Sequence, residues 1–191
     1  MDLPVFYAPP QSLRQDTFAL PADESRHAAK VLRLGRGDGL IIVDGLGNAW
    51  KGSITSVGSR GGQVTVRRHL ELRNYGEPAV ILTLAAGLST GSRFDTVVGK
   101  GTELGVKRFV PVISEMSRVK PVETRSVSTR VRRLERVALA AMKQCRRSYR
   151  PEIGDPVTFA EYLRQVDEKS LKLLFHPGES SRLLGQLDWT Q

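Results

Sequence analysis

Val80-Ile81-Leu82-Thr83-Leu84 and Phe109-Val110-Pro111-Val112-Ile113 decide the fold class. Each is a nearly continuous apolar run of strand length, and a helix-patterned segment lies between them. Such β-α-β succession predicts an α/β unit with a parallel sheet buried on both faces. Towards the C-terminus, Val127, Val131, Leu134, Ala138, Ala141 and Cys145 recur at spacings of four and three, which predicts a long helix from about Ser126 to Arg147 with one core-facing side. A helix over Phe159 to Val166 and a short strand Leu171-Lys172-Leu173-Leu174-Phe175 follow, leading into His176-Pro177-Gly178. Towards the N-terminus, Gly76 and Pro78 break the pattern. Before them the chain reads as short strands, such as Leu40-Ile41-Ile42-Val43 and the alternating Val64 and Val66, so a β-rich domain over 1–73 precedes an α/β domain over 78–191.

Within the first domain, Asp44-Gly45 and Gly47-Asn48 separate two strand-like runs, as a hairpin connection requires. Strands near 39–44 and 48–57 should therefore pair. One helix interrupts the strands. Asp23 can cap it, His27, Val31 and Leu34 share a face, and Gly35 can end it. Arg26, Lys30 and Arg33 form a parallel basic stripe.

The formal charge is +9, from 29 Lys plus Arg against 20 Asp plus Glu. That excess attracts polyanions, with nucleic acid the first candidate, but it also suits a membrane-surface binder or a charge that serves solubility alone. On the long helix, Arg132, Arg133, Arg136, Lys143 and Arg147 project opposite the core face at about 100° per residue. Glu135 is the one acid there, within pairing distance only of Arg132, so a solvated face and a phosphate-binding face both remain open. The single Cys145 allows no internal disulfide and fits a reduced compartment. No apolar run reaches the roughly 18 residues of a membrane span, and Met1-Asp2-Leu3-Pro4 lacks the marks of a signal peptide. The expectation is a soluble, cytoplasmic protein with neither membrane nor metal site.

The run Val31-Leu32-Arg33-Leu34-Gly35-Arg36-Gly37-Asp38, with His27 before it and Asp44-Gly45 after the next strand, resembles the PUA-like N-terminal domain of RsmE-type ribosomal RNA methyltransferases. The likeness continues in order through Lys100-Gly101-Thr102-Glu103-Leu104-Gly105-Val106, Pro111, Ser114-Glu115, Gln144-Cys145, Arg147, Pro151-Glu152-Ile153 and His176-Pro177. The resemblance implies a PUA-like β-barrel followed by a SPOUT-type α/β domain with a trefoil knot. It also implies methyl transfer from S-adenosylmethionine to N3 of a uridine in 16S ribosomal RNA of the small subunit, by a homodimer. Phe175, His176 and Pro177 would border the methyl donor, since the family's first donor-binding loop lies there. RNA contacts would come from Arg26, Lys30, Arg33, Arg93, Lys100, Arg132 and Arg136.

Arg147 is a tentative catalytic residue: it could neutralise RNA phosphate near the reaction centre or merely extend the basic helix face. Gly99, Gly101 and Gly105 could simply let a helix pack closely on the sheet. His27, His69 and His176 are far apart in sequence, and none is assigned as the base. Two departures stand out. Relatives commonly carry Glu where this chain has Lys143. The family's Gly-Pro-Glu-Gly-Gly loop and its Leu-Arg-x-Glu-Thr-Ala segment, both corresponding to positions past Gln191, occur nowhere in these 191 residues. The knot is therefore expected to be truncated here and this polypeptide to be inactive or nearly so. The competing expectation is a non-catalytic module that binds ribosomal RNA.

Overall fold

In the computed structural model, residues 3–89, 91–114, 124–175 and 185 are described, the side chains of 124–127 excepted. Strands β1 (Val5–Tyr7), β2 (Thr17–Ala19), β3 (Gly39–Val43), β4 (Ala49–Val57) and β5 (Val64–Leu72) form one sheet in the order β1-β3-β4-β5-β2. Helix α1 (Ala22–Arg26) separates β2 from β3 and runs directly into a π-helical turn, His27–Val31. The apolar alternation of these strands buries Phe6, Leu40, Ile42, Ile54, Val64 and Val66 in one cluster with Ala28. The expected hairpin is present: β3 and β4 pair antiparallel with Ile41 opposite Lys51 and Val43 opposite Ala49. Asp44 holds its turn, accepting from the amides of Leu46 (2.7 Å) and Asn48 (3.1 Å) and from Asn48 Nδ2 (2.6 Å).

The helix at 22–31 departs from the expectation. Pro21, not Asp23, holds the N-cap position, and Asp23 lies in the first turn. The backbone closes through a five-residue turn, with Leu32 N donating to His27 O at 3.0 Å. Each such turn takes in more residues than the 3.6 of an α-helix and rotates everything after it. Val31 is consequently 64% exposed instead of core-facing. The run ends at Arg33, which takes a left-handed conformation (φ 55°) ahead of Gly35.

The second half carries β6 (Leu82–Gly87), α2 (Arg93–Glu103), β7 (Val106–Ile113), α3 (Thr124–Gln144), β8 (Glu152–Ile153), β9 (Val157–Thr158) and α4 (Phe159–Gln165). All its strand pairs are parallel, with β7 between β6 on one side and β8 and β9 on the other. Central β7 fits the expectation of burial on both faces. Phe109 joins the core under α2 and α3, while Val110 and Val112, on the alternate face, are 5% and 7% exposed. Strand β6 does not fit it: the strand starts only at Leu82, and Val80 and Ile81 are 69% and 78% exposed. It pairs with β7 alone among the described residues.

Two more corrections concern the C-terminal part. Helix α3 ends at Gln144, and Arg146 (φ 63°) turns the chain. Leu171–Phe175 forms no strand; Leu174 and Phe175 are 79% and 74% exposed, with no pairing partner among the described residues. Helix α4 is closed by a reciprocal cap in which Thr158 Oγ1 accepts from Glu161 N and Glu161 Oε2 accepts from Thr158 N. The bond from Thr158 N foremost, then one from Thr158 Oγ1 to the same Oε2 (2.7 Å), hold the Glu161 carboxyl below its usual range.

The two halves meet along the last turns of α3. Met142, wholly buried, packs with Ile41, Val43 and Ala49 of the first sheet, and Leu139 joins them. Lys143 reaches Glu24 of α1 at 2.5 Å.

Candidate functional site

In an open α/β sheet, ligands gather beyond the carboxyl ends of the strands. Here that end comprises Gly87, the last residue of β6, with Leu88-Ser89 after it, Ile113, the last residue of β7, with Ser114 after it, and Thr158, which pairs with Ile113. A clamp from α3 shapes it: Arg133 Nη2 donates to Asp95 Oδ1 at 2.7 Å and to Gly91 O at 3.1 Å, fixing the loop that enters α2. Among the described residues, a Cβ added at Gly87 or Gly91 would meet nothing within 4 Å. Arg93 is exposed at the first residue of α2, beside this loop. Lys100 lies seven residues on, along the same helix face, and shares its charge with Glu103 at 2.8 Å.

The opposite, amino-terminal end of the sheet holds Arg147. Its guanidinium is enclosed, the residue being 2% exposed. Nη1 donates to Thr102 O (2.9 Å) and Val106 O (2.8 Å), while Nε (3.2 Å) and Nη2 (2.7 Å) donate to Glu77 Oε2. Strand β7 puts roughly 23 Å between this end and the crevice, at about 3.3 Å per residue. The donors of Arg147 thus point into protein, and it lies at the end of the sheet away from the strand carboxyl termini. Beside it a cleft of about 210 Å³ is lined in part by Asn74, Lys107 and Tyr149. The Lys107 ammonium stands 4.4 Å from the Tyr149 ring centre. Burial pushes the nearby Cys145 thiol up, against the opposing effect of Arg147.

The other expected cations are at the surface. Arg26 is exposed, 3.7 Å from Asp23. Lys30 lays its stem over Gly61, where an added Cβ would meet Lys30 Cε at 3.2 Å. Arg60, next in the chain and exposed at φ 58°, thus joins Lys30, although no helical spacing could have signalled it. Arg33 is exposed past the helix end, and Arg132 and Arg136 are exposed on α3. Of the expected donor-site residues, Phe175 is exposed, and His176 and Pro177 lie outside the described residues. Among the described residues no helix is long and apolar enough to cross a membrane, and no cluster of His, Cys, Asp and Glu is arranged to hold a metal ion.

A family model described as an RNA methyltransferase domain matches residues 77–189. The chain belongs to that family. A second model, an RNA methyltransferase PUA domain, matches residues 20–67, within the five-stranded half. The ribosomal RNA small subunit methyltransferase E of Synechocystis sp. is 28% identical over 179 residues, covering 92% of this chain and 55% of that protein. Its namesake from Bacillus subtilis is 27% identical over 153 residues, covering 80% of this chain and 58% of that protein. The chain thus spans a little over half the length of these relatives. Among solved structures, the ribosomal RNA small subunit methyltransferase E of Neisseria gonorrhoeae, bound to S-adenosyl methionine, superposes with a TM-score of 0.84 at 26% identity. That superposition covers 97% of this chain and 74% of the Neisseria one. In this member of the RNA methyltransferase family, Glu77 is the first residue of the matched domain, and reading the sequence gave it no role. It sits between Gly76 and Pro78 like any loop acid, and its partners lie some 70 residues away.

Proposed function

We propose that the protein containing these residues transfers the methyl group of S-adenosylmethionine to N3 of a uridine in 16S ribosomal RNA. Residues 1–73 would act as a PUA-like barrel that grips RNA and residues 78–191 as part of a SPOUT-type domain, working as a homodimer in the cytoplasm. The observation that carries this reading is the family match over 77–189, on a chain whose fold follows a donor-bound relative over nearly its whole length. RNA is held by Arg26, Lys30 and Arg33, joined by Arg60, and guided towards the crevice by Arg93, Lys100, Arg132 and Arg136. Charges of this kind bind phosphate by releasing counterions.

S-adenosylmethionine supplies an electrophilic methyl group. This chain's share of the work is to orient the uridine and to ease loss of its N3 proton, which nearby cations favour by stabilising the anion. His27 packs edge-on to Phe6 at 6.1 Å and His69 bonds to Ser53 at 2.8 Å. Both belong to the first half, which supports leaving them out as the base. Phe175 is 74% exposed, so the described residues give the donor one open wall and no enclosure. Donor capture then needs the family's glycine-rich loop, and residues 1–191 alone are expected to bind RNA without binding donor or turning over.

Four measurements test this. Calorimetry with S-adenosylmethionine and methylation of small subunits with labelled donor should both read zero for residues 1–191, and robust turnover would overturn that expectation. Replacing Arg26, Lys30 and Arg33 together by alanine should flatten the log-affinity against log-salt slope for RNA by about 2, at roughly 0.7 per lost phosphate contact on single strands. An unchanged slope would remove these residues from the interface. Reading the gene past the codon for Gln191 separates the enzyme from a non-catalytic RNA-binding module: a Gly-Pro-Glu-Gly-Gly loop there supports the first and a stop codon the second.

A further inference from the structure

We infer that Glu77 is a positioning residue, the anion through which the two halves are held in one mutual orientation; its consequence for RNA presentation rests on the reading above. It lies in the segment between Leu72, the end of β5, and Leu82, the start of β6, the one covalent link between the sheets. Both carboxylate oxygens are used. Oε1 accepts from the amides of Ser148 (2.9 Å) and Tyr149 (2.8 Å), and Oε2 from Arg147 Nε (3.2 Å) and Nη2 (2.7 Å).

The loop 147–150 that Glu77 grips is itself bonded to both halves. Towards the second half, Arg147 Nη1 donates to Thr102 O and Val106 O, where α2 turns into β7. Towards the first half, Gly47 N donates to Ser148 O (3.1 Å) and Arg150 N to Gly45 O (2.9 Å), engaging the β3–β4 turn. Ser148 Oγ also donates to Tyr75 O at 2.8 Å in the linking segment. Gly76 (φ 70°) comes so close to Arg146 O that a Cβ there would collide with it. Glu77 is the acceptor at the centre of this knot of donors. Its side chain is 18% exposed and that of Arg147 3%, so bulk salt screens the pair little.

Further ties between the halves are the Met142 contact, the Lys143–Glu24 pair and Arg146, whose Nη2 donates to Leu3 O and whose Nε donates to Tyr75 Oη, each at 3.2 Å. Met142 and Lys143 lie on α3, and Arg146 just past its end. Apolar packing is non-directional, so Met142 can hold the halves together without fixing their angle. Directional bonds to a planar carboxylate do fix it.

The test measures orientation apart from stability. In a Cys145→Ser background, spin labels on Ser59→Cys and Ala160→Cys, both exposed and one in each half, report the distance between the halves. The parent should give one narrow distance. Glu77→Ala combined with Arg147→Met leaves no buried charge behind but takes the partners from the Ser148 and Tyr149 amides and the Thr102 and Val106 carbonyls, so its melting temperature should fall, and well below that temperature the distance distribution should broaden at least twofold. Glu77→Gln, which turns an amide N–H₂ towards existing donors, should broaden it as well. A folded double variant or Glu77→Gln that keeps the narrow distribution would overturn the proposal. RNA affinity of the parent is measured in parallel: if the parent binds no RNA, the functional reading fails while the distance result still decides the role of Glu77.

Discussion

Arg147→Ala should lower the free energy of unfolding by about 3–5 kcal/mol, the usual cost of breaking a buried ion pair by removing one partner. It should leave the salt dependence of RNA binding untouched. The loss has two sources. Glu77 keeps the Ser148 and Tyr149 amides on Oε1, but Oε2 loses both of its cationic donors. The carbonyls of Thr102 and Val106 lose the Nη1 donor as well. Arg147→Lys should recover only part of the loss, because one ammonium lacks the planar fork that reaches the carboxylate and two carbonyls together. Urea denaturation monitored by circular dichroism gives the stability, and RNA titration at several salt concentrations gives the slope. If Arg147 instead met RNA phosphate, the slope would flatten by about 0.7 to 0.9 with little change in stability. The two roles thus predict opposite patterns in the same pair of measurements.

That residue also marks how far a sequence can be read. A continuous apolar run located β7 and turn chemistry the β3–β4 hairpin, because both signals are local and each strand has a neighbour on the expected side. The same reasoning covered β6 and misjudged it: hydrophobicity says that a strand wants cover, not that cover is supplied, and Val80 and Ile81 are exposed. The 22–34 helix failed for a different reason. A single π-turn shifts every later residue off the 3.6 period, and no residue type signals such a turn.

The candidate site was legible where it depends on exposed charge, since an Arg at the surface needs no partner to be noticed. Arg26, Lys30, Arg93, Arg132 and Arg136 are at the surface as expected. Helical spacing put Arg147, Lys143 and Arg133 on the same solvent face, yet each is committed to an acid far along the chain. Arg147 pairs with Glu77, Lys143 with Glu24 and Arg133 with Asp95, at separations of 70, 119 and 38 residues. Such pairings follow from how sheets and helices are assembled, and nothing local encodes them. Lys143 thereby has a role: it pairs with Glu24, an acid only 5% exposed at the junction of the halves.

The glycines of the Lys100–Val106 stretch give the second large effect, and there the expected sign depends on a neighbour. Phe109 is wholly buried in the middle of β7, and Phe109→Ala should cost about 3–5 kcal/mol through lost burial and the cavity left behind. Gly101, on α2, faces that ring: an added Cβ would lie 2.5 Å from Phe109 Cε1 and 2.7 Å from Cζ. Gly101→Ala alone should therefore destabilise, because an overpacked core costs about 1–3 kcal/mol and alanine's better helix propensity returns at most about 1. With the ring removed, the same methyl enters vacated space, and Gly101→Ala in the Phe109→Ala background should stabilise. Gly99→Ala is the control. Its nearest neighbour would be Val137 Cγ1 at 3.8 Å, an ordinary contact, so only the propensity gain of up to about 1 kcal/mol should appear. A double-mutant cycle from urea denaturation reads all of this, with a coupling between positions 101 and 109 of about 1–2 kcal/mol expected for groups in direct contact. Additivity within about 0.3 kcal/mol would mean that the helix does not press on the ring, and the glycine at 101 would need another explanation. The outcome bears on the proposed function, because α2 and β7 are among the elements whose ends border the crevice, and Gly101 sets how closely they lie.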